Sequence, residues 1–186
     1  MARSARDELE RFMDRYSADI ASLARGALTK LMERIPGAQV LVYDNYNALA
    51  IGFGPSAKPS EVIVSIALYP RWVRLFFMQG ASLPDPQRIL EGKGARVRHI
   101  VLDGPDTLDE KGVCELLDVA LSQARVPIDP AQPGKLIIQF VVDNPRPRRP
   151  VKNASPSKPK PQAKMPKAPP RKTPAKAKHA KNTKNR

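Results

Sequence analysis

Residues 62–69 read Val62-Ile-Val-Ser-Ile-Ala-Leu-Tyr69, and here Val62, Val64, Ile66 and Leu68 alternate with Ile63, Ser65, Ala67 and Tyr69. A period of two with one strongly apolar side is the pattern of a β-strand that buries one face. Pro70-Arg71 interrupts the run, and a second β-rich run occupies 72–78. Upstream, 40–43 and 49–53 have the same character, with breaks at Asp44-Asn45 and Gly54-Pro55, and Gly80 closes the fourth run. These breaks are too short for crossover helices, so successive strands pair as antiparallel neighbours.

Helical periodicity flanks this block. After Ser17, a plausible N-cap, Ile20, Leu23, Ala27, Leu28, Leu31 and Ile35 recur on one helical face until Pro36-Gly37 closes it. A shorter stripe, Leu9, Phe12, Met13 and Tyr16, precedes it on a charged segment. Downstream, 96–102 reads as a fifth strand. Thr107-Leu-Asp-Glu110 then reads as a capping box, opening a helix with Val113, Leu116, Leu117, Ala120 and Leu121 on its apolar side. The run 136–142 is a final strand. The order ααβββββαβ predicts an α+β fold, an antiparallel or mixed sheet of about five to six strands with helices packed on one face.

Charge divides the 186 residues sharply. The formal net charge is +14, yet 1–143 hold 17 basic and 18 acidic residues, while 144–186 hold 15 basic residues and no acid. The last 43 residues also carry ten of the twenty prolines and no Leu, Ile, Phe, Tyr or Trp. Such a segment cannot offset an ordering cost of about 1–2 kcal/mol per residue. The expected organisation is a domain over 1–143 and a disordered Lys/Pro/Ala-rich tail over 144–186, with a coil reach on the order of 35–40 Å.

The string Ile66-Ala-Leu-Tyr-Pro70, Arg71-Trp-Val-Arg-Leu-Phe-Phe77, Gly80-Ala-Ser-Leu-Pro-Asp-Pro86, Leu90-Glu-Gly-Lys-Gly-Ala-Arg96 and Arg98-His-Ile-Val-Leu102 resembles the YdhG-like domain family, a widespread bacterial domain of unknown function. With the helices and strands around it, the resemblance covers about 20–125, and Arg146-Pro-Arg-Arg-Pro150 is similar to a sequence that often ends such domains. It implies a small α+β fold with an antiparallel sheet. Some members are described as frataxin-like iron chaperones, but the family has no catalytic signature to carry over.

The tail supplies the clearest functional signal. Lys152, Lys158, Lys160, Lys164, Lys167, Arg171, Lys172, Lys176, Lys178 and Lys181 are spaced by Pro and Ala, similar to linker-histone tails. An extended chain of this kind lets successive cations meet phosphates and release counterions. Such binding carries almost no base specificity, so DNA and RNA are equally suitable partners. The tail has no aromatic residue on which to stack a base. The alternative is a solubilising appendage. Ser155-Pro and Thr173-Pro place hydroxyls in the run, where a phosphate would subtract charge.

The domain is less explicit. Lys93, Arg96 and Arg98 form its densest basic group and a possible anion site, with His99 directed to the opposite face; charge guarding a solvated strand edge is the commoner explanation of such a group. Gly52-Phe-Gly-Pro-Ser-Ala57 imitates a dinucleotide fingerprint, but a strand follows it where the pyrophosphate needs a helix N-terminus. Gly92-Lys-Gly94 lacks the spacing of a P-loop. Asp103, Asp106, Asp109, Glu110 and Asp118 suit a hard cation and carry the iron-chaperone alternative, although a helix start also favours carboxylates.

Cys114 is the single cysteine and reads as packed in a helix, so neither an internal disulfide nor a zinc site is expected. No nucleophile–base pairing, metalloprotease motif or oxyanion loop is visible, and an enzyme with an unrecognised site is the weakest alternative. The N-terminal residues lack the apolar stretch of a secretory signal and no run approaches a membrane span, which leads to the expectation of a cytoplasmic protein that needs no cofactor. The expected function is non-enzymatic binding: a small ligand or protein on the domain, DNA or RNA on the tail. An exposed sheet face could serve equally for homo-oligomerisation.

Overall fold

The structure, a computed structural model, describes residues 4–150. Its elements are α1 (Ala5–Met13), α2 (Ala18–Arg34), β1 (Gln39–Asp44), β2 (Leu49–Gly54), β3 (Val64–Leu68), β4 (Val73–Phe77), β5 (Arg98–Leu102), α3 (Lys111–Ser122) and β6 (Leu136–Val141). The strands form one mixed sheet in the order β5-β4-β3-β2-β1-β6. Strands β1 to β5 are a run of antiparallel neighbours, and β6 joins the far edge parallel to β1. The expected α+β architecture and helix–strand order are present.

All three helices bury their apolar stripes against one face of the sheet. Leu9, Phe12 and Met13 of α1, Ala24, Leu28 and Leu31 of α2, and Val113, Leu116 and Leu117 of α3 form one core with Val42, Ile51, Phe53, Ile66, Leu75 and Ile100. Ser4 caps α1: its Oγ accepts from the Asp7 amide at 3.1 Å, and its own amide donates to Asp7 Oδ2 at 3.3 Å. Ser17 stands at the N-cap of α2 with extended backbone, but its hydroxyl makes no capping bond. Gly37 has φ of +81°, and a Cβ there would lie 2.1 Å from the Asp129 carbonyl oxygen, so both conformation and space require glycine after Pro36.

Three boundaries differ from expectation. Thr107 does not cap α3: residues Pro105–Asp109 form a 3₁₀ turn, Thr107 Oγ1 accepts from the Gly104 amide at 3.4 Å, and α3 begins at Lys111 with Glu110 as its N-cap. Proline at the start of that segment favours the tighter turn, which uses the threonine hydroxyl before the α-helix begins. Strand β5 starts at Arg98, so Arg96 lies outside it.

Strand β3 starts at Val64, and the alternation read over 62–69 breaks before it. Ile63 packs on the helical core, whereas Val62 lies over Gly52 on the opposite face, where a Cβ on Gly52 would be 2.9 Å from Val62 Cγ1.

The folded body also extends beyond the expected limit at 143. The Val142 amide donates to the Asp44 carbonyl and the Arg146 amide to the Tyr46 carbonyl, each at 2.9 Å. Arg148, 5% exposed, reaches Asp44 Oδ1 at 2.6 Å. Arg149 donates through Nε to the Tyr16 carbonyl at 3.1 Å and through Nη2 to the Asp14 carbonyl at 3.2 Å. Residues 144–150 are therefore a strap on the domain. The physical reason is that Asp44 is a buried carboxylate whose charge the guanidinium of Arg148 balances.

Candidate functional site

Among the described residues no helix covers the second face of the sheet, and alternation decides what that face presents. Its central positions are Ala50 and Gly52 on β2 and Ser65 and Ala67 on β3, paired as Ala50↔Ala67 and Gly52↔Ser65. Small side chains make a low floor. Tyr43 of β1, Phe76 of β4, and Tyr46 and Tyr69 from the adjoining turns stand around it, and Pro59, Val62 and Met78 close the other end. The result is a trough of about 660 Å³, within the usual range for a ligand site. None of its lining residues carries a charged side chain; Asn45, Asn47, Ser65 and the tyrosine hydroxyls are its polar groups.

The rim is aromatic and cationic. The Tyr69 and Trp72 ring centroids are 6.2 Å apart, and Arg74 Cζ lies 5.2 Å from the Trp72 centroid and 5.8 Å from that of Tyr69. Trp72 and Tyr46 are 39% and 56% exposed, high for such large rings. Across the next strand pair, His99 stacks on Phe76 with centroids 5.2 Å apart. Burial, helped by the nearby Arg74 charge, lowers the His99 pKa, with Glu91 Oε2 at 3.4 Å opposing the shift. Among the described residues, Tyr43 Oη and Arg74 Nε are covered polar atoms without hydrogen-bond partners, and both belong to this side of the sheet. Burial also raises the Tyr43 pKa.

A second cleft, of about 550 Å³, lies between the end of α3 and the β2–β3 connection, with Val62 as the wall shared with the trough. It includes Glu61, Gln79, Gln123 and Arg125. The Glu61 carboxylate is already bound by Ser56 Oγ and, at 3.2 Å, by Lys58 Nζ, which together lower its pKa.

The residues singled out from sequence fall as follows. Lys93, Arg96 and Arg98 do not meet on a common partner: Lys93 and Arg96 are exposed, and Arg98 Nη1 turns back on the carbonyls of Gly94 and Val97, the latter at 2.9 Å. Lys30 binds both Asp106 and Asp109, the former at 2.8 Å, and Arg34 holds Asp118 at 2.9 Å. Among the described residues no group of three or more His, Cys, Asp or Glu side chains is arranged to hold a metal ion. Cys114 Sγ donates to the Leu108 carbonyl at 3.3 Å. The tail cations from Lys152 to Lys181 lie outside the described residues.

Composition and motifs do not reveal the trough, although the alternation of β2 and β3 carries a signal for it. A solvated sheet face ordinarily carries polar or charged side chains at alternate positions. Here the outward positions of β2 and β3 are Ala50, Gly52, Ser65 and Ala67, too small and too uncharged for that role. No protein-family model, no curated protein and no solved structure matches the chain, so its site is characterised by its own geometry alone.

Proposed function

We propose that this is a non-enzymatic, nucleic-acid-associated binding protein: the open sheet face makes the selective contact and the basic tail supplies non-specific attachment to DNA or RNA. The observation that carries this reading is the partition of charge. An uncharged, aromatic-walled trough lies on a body whose basic and acidic residues nearly balance, while the chain after Asp143 holds 15 cations and no anion. Affinity through the tail would come from counterion release. Selectivity would come from the trough, because lysines and arginines that meet phosphates do not read bases. The resemblance to YdhG-like domains belongs to this proposal as a statement about the body. A cytoplasmic location is part of the same proposal; among the described residues no helix is long and apolar enough to cross a membrane.

An iron-handling role has less support, because a cation at Asp106 and Asp109 would have to displace Lys30. The test is a binding titration with the full chain, comparing wild type with a variant in which the ten cations from Lys152 to Lys181 named above become Gln. At about 50 mM salt the variant is expected to lose at least a hundredfold in affinity for a labelled oligonucleotide. Equal affinity would remove the tail from the account.

A further inference from the structure

We propose that the trough seats an unpaired base of a single-stranded nucleic acid, brought to it by the tail; this deepens the nucleic-acid reading above and rests on it. The chemistry of the lining points to a base. Every base has a π-face that stacks on aromatic side chains regardless of sequence, and Tyr43, Tyr46, Tyr69 and Phe76 surround a floor of Ala50, Gly52, Ser65 and Ala67. Asn45 and Asn47 supply neutral donors and acceptors at one end, suited to a base edge. A duplex does not fit this role: its bases are stacked on one another, whereas a trough on a sheet face requires a base that is splayed out.

The occupant's phosphates need cations that the trough lacks, since none of its lining residues is charged. The tail meets that need in charge, and the strap that precedes it adjoins the trough. The Arg146 amide is bonded to the Tyr46 carbonyl, and Arg148 to the carbonyls of Asn45 and Tyr46, so the strap is fixed to the same turn whose residues line the trough. Pro150 is four residues beyond Arg146, at most about 14 Å of extended chain. The 36 residues after it carry 12 cations. On the body, Arg74 over Tyr69 and Trp72 sets a fixed guanidinium at the aromatic rim. The tail has cations and no aromatic ring, the trough has rings and no charge, and a single strand requires both.

The experiment uses the full chain and two probes of equal length, an oligothymidylate and a mixed-sequence DNA duplex, titrated at several salt concentrations. Trp72, the only tryptophan, stands beside Tyr69 and reports occupancy by fluorescence quenching. Tyr69→Ala and Tyr46→Ala are each expected to weaken oligothymidylate binding at least about fivefold, with an unchanged salt slope and unchanged duplex binding. Tyr69→Phe keeps the ring and should bind like wild type. Tyr46 is 56% exposed and binds the strap through its backbone, so its truncation keeps the test valid should Tyr69→Ala fold poorly. Wild-type affinity in Tyr46→Ala, or equal losses for single strand and duplex, would overturn the trough assignment while leaving the tail reading intact. Failure of the Gln-substituted tail to lose affinity would instead overturn the tail reading itself.

Discussion

Asp44, 1% exposed, is held between Arg148 Nη2 and Arg15 Nη1, each at 2.6 Å, with the Arg148 guanidinium 5.6 Å from the centre of the Tyr16 ring. Removing one side of a buried pair leaves the other charge uncompensated, which typically costs about 3–5 kcal/mol. Asp44→Asn is therefore expected to lower the melting temperature by on the order of 10 °C or more, measured by calorimetry. Tyr16 is 1% exposed; its hydroxyl donates to the Leu68 carbonyl at 3.0 Å and accepts from the Leu49 amide at 2.9 Å. Burial raises its pKa to about 12. Because the folded value exceeds the unfolded one of about 10, its stabilisation is complete below pH ~10 and is lost as pH rises toward ~12.

Wild type should thus lose about 2–3 kcal/mol more than Tyr16→Phe across that alkaline interval, followed by urea denaturation. His99 has the opposite sign. Its pKa is lowered mainly by burial, so its contribution is complete above pH ~6.5 and falls away below. His99→Phe should be less sensitive than wild type to acidification from pH 7.5 to 5, and identical profiles would contradict the burial of a neutral imidazole.

Among the elements, those legible in the sequence are the ones whose signal is periodic and local. Strands β1, β2 and β4 and helix α2 fall within a residue or two of their expected limits because alternation or a 3.6-residue stripe runs to their ends. The errors come where a distant partner decides. Val62 leaves the core face because Gly52, on the neighbouring strand, provides space for it. Thr107 satisfies Gly104 within a 3₁₀ turn, which a four-residue capping pattern does not distinguish from an α-helix start. Arg148 has a buried position because Asp44, 104 residues away in sequence, requires a counter-charge.

Net charge and proline content assign residues 144–150 to the tail; tertiary pairing assigns them to the body. A chain ending at Asp143 should accordingly melt several degrees lower than one ending at Pro150, since the shorter chain leaves Asp44 with Arg15 alone. Equal melting temperatures would show that the strap adds nothing to the body's stability.

At the largest scale, among the described residues the sheet has one face filled by helices and one left open, and the open face is shaped by what its strands omit. Four small residues make the floor, aromatic rings make the walls, and no charged side chain lines it. Alternation makes the buried face legible, whereas the trough depends on neighbouring strands placing small side chains side by side. The strap over residues 144–150 is bonded to the turn beside this trough through Arg146 and Arg148, and the proposed function joins a non-specific electrostatic contact to a surface able to select.

The most direct measurement is the dependence of oligonucleotide affinity on salt for the intact chain. If six to ten phosphates of a single strand are neutralised, the slope of log K against log salt is expected to be about −4 to −7, and Gln substitution of the ten tail cations should bring it close to zero. A slope near zero in wild type, or one that the substitutions leave unchanged, would contradict electrostatic attachment through the tail.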